Sequence, residues 1–320
     1  MSVTESFERA ILGGLSPAGP RGRLLILTYH RVLAEPDEVL PDEPHAATFA
    51  AQMDVLGTYC RVLPLPEAIE RLRSGSLPQR AACVTFDDGY ANNLEVALPI
   101  LEKRGLTASI FIAVDAVRRG IMWNDLIIES VRAAKTSVDL APLNLPAADL
   151  ATSSRATVIA QLLNDLKYLP LERRWLLATE LFAANADAAY PRLMLEPAQV
   201  GELAARGHDV GAHTINHPIL RELEPELART EIGESYRWLA EATGKPPKSF
   251  AYPNGRPNRD YDATHVAMVR QAGFELAVST SWGCASSHSD VYQLPRCAPW
   301  DLSSKWFALR LAKNYVMHSH

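Results

Sequence analysis

The stretch Val84-Thr85-Phe86-Asp87-Asp88-Gly89-Tyr90 closes an apolar run that begins at Ala81. Residues 81–86 have the length and character of a buried strand, and Gly89 opens a turn directly after them. Adjacent strand residues point to opposite faces. Where a strand ends and the chain turns, however, Asp87 and Asp88 can both be swung toward one cleft. Two like charges that close repel, so a positive group must stand beside them unless one is protonated. A divalent cation meets that need. It would take one carboxylate as a ligand and leave the other free as a base toward water that the ion activates.

The remaining ligands lie in Gly211-Ala212-His213-Thr214-Ile215-Asn216-His217-Pro218. The run 208–212 ahead of them reads as another short buried strand, so these histidines also stand at a strand end. Two histidines and one carboxylate with open positions form the ligand set of a catalytic rather than a structural site. Thr85-Phe86-Asp87-Asp88-Gly89 followed by His213-Thr214-x-x-His217-Pro218 resembles the first two motifs of the polysaccharide deacetylases, carbohydrate esterase family four. The resemblance implies that Asp87 is the catalytic base and that Asp88, His213 and His217 bind the metal. Zinc is the expected ion, with cobalt, nickel and iron also suited to this donor set. It implies a carbohydrate substrate too, with Tyr90, Tyr252 and Pro253 expected to contact it.

Phe250-Ala251-Tyr252-Pro253-Asn254-Gly255 is similar to the family's third motif, Arg-x-Pro-Tyr, with two departures. Ala251 stands at the arginine position and Asn254 at the tyrosine position. The family's arginine pairs with the catalytic Asp, and the backbone amide at the tyrosine position helps hold the oxyanion. Asn254 can supply that amide, but alanine cannot replace arginine. Arg256 and Arg296 are the candidates to restore the charge. Arg296 is preferred, because a buried strand rarely ends in an arginine that lacks a partner; a rim arginine in a weak exposed pair is the competing reading.

The family's last motif, Leu-x-His with its general-acid histidine, has no match. Leu24-Leu25-Ile26-Leu27-Thr28-Tyr29-His30 reads as a strand, and Tyr-His-Arg-Val at a first strand end is seen in a branch of the family acting on cell-surface polysaccharides. His30 is therefore expected either to face the site, where it or another group protonates the leaving amine, or to be a partly buried histidine bonded to backbone. His208 is expected to support the ligand loop.

Around these motifs strands and helices alternate, as parallel α/β folds require. The expectation is an α/β fold, an incomplete and distorted (β/α) barrel of about seven strands spanning residues 1–320 as a single deacetylase-type domain. Every motif falls at a C-terminal strand end, where such barrels carry their chemistry. Residues 115–206 break the rhythm with four helical segments and no convincing strand. We read 120–195 as a helical insertion that shapes the substrate pocket or simply packs. Trp123-Asn124-Asp125 at its start reads as a helix N-cap that could also reach the cleft.

The net charge of −5 without long runs of one sign argues against nucleic-acid binding. The four cysteines show no CxxC spacing, so neither a zinc knuckle nor a disulfide framework is suggested. Residues 1–14 lack an apolar signal core and no stretch is long enough to span a membrane, so the expected setting is a cytoplasmic soluble enzyme. The expected reaction is metal-dependent removal of N-acetyl groups from a carbohydrate. Hydrolysis of another amide or formamide, or of an O-acetyl ester, are alternatives on the same scaffold, and a catalytically silent sugar-binding protein is a further one.

Overall fold

Short apolar runs that pair in register build the sheet of this chain, whose computed structural model describes residues 10, 12–299, 301 and 303–317. In order, β1 (Leu24–Tyr29), α1 (Ala46–Tyr59), β2 (Arg61–Val62), α2 (Leu65–Arg73) and β3 (Ala81–Phe86) come first. A π-turn at Asn93–Ala97 then leads into α3 (Leu98–Glu102), followed by β4 (Ser109–Ile112) and α4 (Val114–Arg119). Next stand α5 (Trp123–Ala133), β5 (Ser137–Val138), β6 (Ala148–Asp149), α6 (Arg155–Leu166) and α7 (Leu171–Asn185). The last third comprises α8 (Pro197–Ala205), β7 (Asp209–Ala212), α9 (Pro225–Thr243), β8 (Ser249–Ala251), α10 (Ala263–Ala272), β9 (Leu276–Trp282), β10 (Leu294–Arg296) and α11 (Ser304–Val316).

Seven parallel strands run in the order β1-β3-β4-β7-β8-β9-β10. The short β2 lies outside this order and pairs with the first residues of β3, Arg61 with Ala81 and Val62 with Ala82. The ring is nearly closed, with one seam between β10 and β1. There Cys297 N–H donates to Ile26 O at 2.9 Å, and Thr28 N–H donates to Cys297 O at 3.0 Å. The fold is thus the incomplete α/β barrel the sequence led us to expect.

Alternation sorts the strand residues into two packed layers. Leu24, Ile26, Ala81, Cys83, Phe111, Ala251, Val278 and Leu294 fill the barrel interior, plugged by Leu65, Ile69 and Leu72 of α2. Leu25, Leu27, Val84, Phe86, Ile110, Val210 and Phe250 point outward into the packing with the surrounding helices. Asp87 continues the inward set of Ala81, Cys83 and Thr85, which is why its carboxylate enters the barrel mouth.

Between β4 and α8, helices α5, α6 and α7 pack around a separate core that includes Leu126, Val131, Leu162 and Leu181. One expectation for this region is corrected. It holds a two-stranded antiparallel hairpin, β5 and β6, with Ser137 opposite Asp149. Strands of two residues, separated by a loop containing Pro142 and Pro146, are too short to leave an alternating pattern. Among the described residues, no helix is long and apolar enough to cross a membrane. His318 and His320 lie outside the described residues, as do residues 1–9 and 11.

Candidate active site

The carboxylate strand ends in a left-handed step. Asp87 still belongs to the sheet, its N–H donating to Tyr29 O at 2.9 Å. Asp88 and Gly89 then adopt φ of 76° and 86°. Only glycine suits position 89: besides that φ, a Cβ there would stand 3.1 Å from Ile112 Cδ1. The reversal turns the Asp88 side chain back over the mouth of the barrel instead of out toward the helices.

The histidine loop is bent by the same means. Thr214 and His217 take φ of 65° and 52°. Helix α4 anchors the loop from one side, Val114 and Asp115 N–H donating to Thr214 O and Ile215 O. Glu231 of α9 anchors it from the other, accepting from Ile215 N–H at 2.9 Å, Asn216 N–H at 2.8 Å and Asn216 Nδ2 at 2.6 Å. Backbone held in sparsely populated regions persists only where its surroundings over-determine it, and such strain gathers at functional sites.

These turns bring Asp88, His213 and His217 together. Asp88 Oδ1 lies 3.5 Å from Nε2 of each histidine. That is long for a hydrogen bond. It matches the roughly 3.3–3.6 Å between donor atoms set about 2.0–2.2 Å from a common tetrahedral centre. Asp88 Oδ1 is buried and has no hydrogen-bond partner. His213 Nδ1 lies 2.8 Å from Ala251 O, and since a carbonyl only accepts, Nδ1 must carry the proton. In the neutral ring that tautomer leaves the Nε2 lone pair on the side of Asp88. Burial, reinforced by the neighbouring His213, pushes His217 well below its ordinary pKa, which favours the neutral ring. An orphaned carboxylate oxygen facing two imidazole lone pairs fits a divalent cation.

Beside this cluster Arg296 forms a bidentate pair with Asp87, Nη1 to Oδ1 and Nη2 to Oδ2 both at 2.7 Å. Its Nε donates to Ser279 O at 2.9 Å. Both side chains are buried, at 1% and 5% exposure. Burial alone would raise the Asp87 pKa, but the Arg296 charge and hydrogen bonds hold the carboxyl well below the usual range. The arginine that Ala251 does not supply arrives from β10 instead.

The cluster opens into a cavity of about 640 Å³ whose wall includes Asp87, Asp88, His213, His217, His30, Tyr252, Asn254 and Arg296. His30, exposed at the end of β1, is on that wall. Asn254 has a φ of 58°, and its N–H donates to no described protein atom. The Tyr252 hydroxyl is buried without a partner.

Three expectations need correction. Tyr90 is not on the cavity wall: it is buried beneath the Arg31 guanidinium, 4.1 Å from the ring centroid, and its hydroxyl is shared with Arg31 and Asp125. Pro253 is buried and off the wall; its carbonyl takes the Gly255 N–H and shapes the Asn254 turn. His208 does not support the ligand loop. It stands at the opposite barrel end, where Nδ1 accepts from Ala108 N–H and Nε2 contacts Glu102.

Several contributors were not read from the sequence. Arg31 pairs with buried Asp125, which also accepts the Met122 N–H at the start of α5. Leu163, Lys167 and Arg174, from α6 through α7, also line the wall, beside Trp123 and Asn124 of α5, which the sequence reading had allowed to reach the cleft. The insertion thus builds one side of the cleft.

Residues 74–277 match the family model described as polysaccharide deacetylase. This chain belongs to that family. The family's activity class, hydrolytic deacetylation of carbohydrate, is therefore the class of this enzyme. YxkH of Bacillus subtilis (strain 168), named as a polysaccharide deacetylase, is 21% identical over 276 residues, 86% of this chain and 70% of that protein. Among solved structures, the deacetylase PplD of Streptococcus pyogenes in complex with acetate superposes with a TM-score of 0.58 at 19% identity, over 86% of this chain and 92% of that one. IcaB from Ammonifex degensii gives 0.57 at 21% identity, over 92% and 98%. At these identities the structural likeness speaks for the fold.

Proposed function

We propose that the enzyme removes N-acetyl groups from an amino sugar, with a divalent ion, zinc first among the options, held by Asp88, His213 and His217. The observation that carries this reading is the unpartnered Asp88 Oδ1 facing two histidine nitrogens, next to a second carboxylate that is not a ligand. Bound there, the ion would polarise the acetyl carbonyl and acidify water, the two contributions that metals make to such hydrolyses.

The chain's own groups do the rest. Asp87, kept ionised by Arg296, takes the proton from the attacking water. The Asn254 N–H, projecting from a left-handed turn, donates to the carbonyl oxygen as negative charge develops on it. His30, exposed on the cavity wall, delivers a proton to the leaving nitrogen. Water and the N-acetyl sugar thereby yield acetate and a free amine. Tyr252, with its hydroxyl unpartnered at the wall, is the substrate-contacting residue retained from the sequence reading.

The test pairs metal content with acetate release from N-acetylated oligosaccharides, O-acetylated ones being assayed alongside. Wild type should hold near-stoichiometric metal and release acetate from the amides, and His213→Ala should lose both. Asp87→Asn should keep its metal while turnover falls by about 10²–10⁴-fold. An Asp87→Asn protein that retains full activity would remove Asp87 from the role of base, and release from esters alone would overturn the amide reading.

A further inference from the structure

The chain is acidic overall, with a net charge of −5, yet the walls of the cleft carry several cations. Lys167, Arg174 and Arg256 all stand on its wall, whose only carboxylates among the described residues are Asp87 and Asp88. Asp87 is already neutralised by Arg296, and Asp88 is committed to the ligand cluster. None of the three cations forms an ion pair among the described residues.

Arg174 is the most telling of them. It is 3% exposed, and of its donors only Nη1 finds an acceptor, Lys167 O at 3.0 Å. Its Nε is buried with no partner. Its guanidinium lies 4.5 Å from the Trp123 ring centroid, which fixes its place without supplying a counter-charge. A buried charge is normally paired, because burial without compensation is costly. A smaller cavity of about 240 Å³ adjoins the first and shares Met122, Trp123, Arg174 and His217 with it. The carboxylates there do not answer Arg174 either: Asp115 pairs with Arg119, and Glu172 is exposed at the start of α7. Arg256 approaches from the opposite wall, on the turn after Asn254. Between the two walls Tyr168 accepts a hydrogen bond from Arg259 at 2.7 Å, tying the α6–α7 connection to that turn. The three cations are thus held on a joined frame around one cavity.

We propose that the substrate carries an oxyanion on or next to its acetylated sugar, a phosphate ester or a carboxylate, and that Lys167, Arg174 and Arg256 bind it. This rests on the deacetylase reading above and names its substrate as an acidic amino sugar. Arginine suits such a group because its planar donors match phosphate and carboxylate oxygens, and a partly buried pair escapes most of the screening of a surface one.

Binding separates this inference from turnover. Calorimetric titration of the metal-loaded enzyme should show N-acetylglucosamine 1-phosphate and N-acetylglucosaminuronic acid binding at least about tenfold more tightly than N-acetylglucosamine, the worth of one charge-assisted hydrogen bond. Preference for the phosphate alone would assign a phosphorylated substrate, and preference for the uronate alone a carboxylated one. Lys167→Gln and Arg256→Gln lie on partly or fully exposed side chains and should fold; each should erase most of the preference while leaving binding of the neutral sugar unchanged. Equal affinity for neutral and acidic sugars would overturn the proposal. So would a preference that survives both substitutions, since the metal alone would then account for it. Acetate release from neutral sugars without acidic preference would sink this inference and leave the deacetylase standing. Acidic preference without acetate release from any sugar would do the reverse.

Discussion

Arg296 and Asp87 lie 209 positions apart and meet through two hydrogen bonds of equal length. Removing one member of a buried pair leaves the other charge uncompensated, at a cost of about 3–5 kcal/mol, whereas removing both avoids most of it. Arg296→Gln should therefore lower the free energy of unfolding by about 3–5 kcal/mol in urea titration. Adding Asp87→Asn to it should restore much of the loss, and strict additivity of the two substitutions would show that the pair is not coupled. The arginine was legible in Leu294-Pro295-Arg296 because a cation at the end of a buried strand needs a partner. The same argument applied to Tyr29-His30-Arg31 would have found Arg31, whose partner Asp125 is 94 positions away. Tyr90 was misread because its motif position suggested the cleft, while the left-handed step at Asp88 and Gly89 sends residue 90 under Arg31 instead. Asp88-Gly89 does announce a turn, since both residue types tolerate positive φ, but nothing local to it sets the direction in which residue 90 leaves.

At the scale of elements, the ligand loop is a strained segment clamped between the start of α4 and the middle of α9. Glu231 satisfies two loop N–H groups and the Asn216 side chain at once. Replacing it by Gln substitutes one neutral acceptor for a charged pair of oxygens and adds donors where donors already crowd. Glu231→Gln should weaken metal binding by about 10–100-fold, the usual effect of losing an outer-shell partner, with an unchanged helical circular dichroism signal. Unaltered metal affinity in a competition titration would mean that α4 alone holds the loop. That His213 and His217 would stand together at a strand end was readable, because histidines at that spacing suit a metal site and the run before them has strand character. The clamp on their loop was not, since Glu231 sits in an amphipathic helix among Glu226, Glu234 and Glu241, and nothing local marks which carboxylate turns inward. The insertion was visible as helices out of rhythm, but its cations were not, because arginine and lysine on a surface-patterned helix ordinarily face solvent. Which of them meet the cleft depends on how α6 and α7 seat against α5, a matter of packing between distant segments.

Over the whole molecule, the two ends of the barrel are built for opposite ends. The C-terminal end holds left-handed backbone at Asp88, Thr214, His217 and Asn254, an orphaned carboxylate oxygen, and a free amide. At the N-terminal end α2 plugs the interior, and His208, Glu102 and Arg206 form a linked group at the start of β7. His208 is 5% exposed and accepts a backbone N–H at Nδ1, an arrangement that only the neutral ring can make. Burial lowers its pKa from 6.5, against the raising influence of Glu102. In the unfolded chain the imidazole takes up its proton around pH 6.5, while in the fold it resists protonation to lower pH. The unfolded state therefore binds more protons in that window, and stability falls as the solution is acidified below it. Thermal unfolding should accordingly show a steeper loss of Tm between pH 7.5 and 5.5, round values bracketing that window, for wild type than for His208→Gln, which keeps an acceptor for Ala108 N–H but cannot titrate. Parallel pH profiles for the two proteins would remove His208 from the account. Because His208 lies at the barrel end away from Asp88, His213 and His217, the expected difference is one of stability alone, with acetate release per folded molecule the same in both.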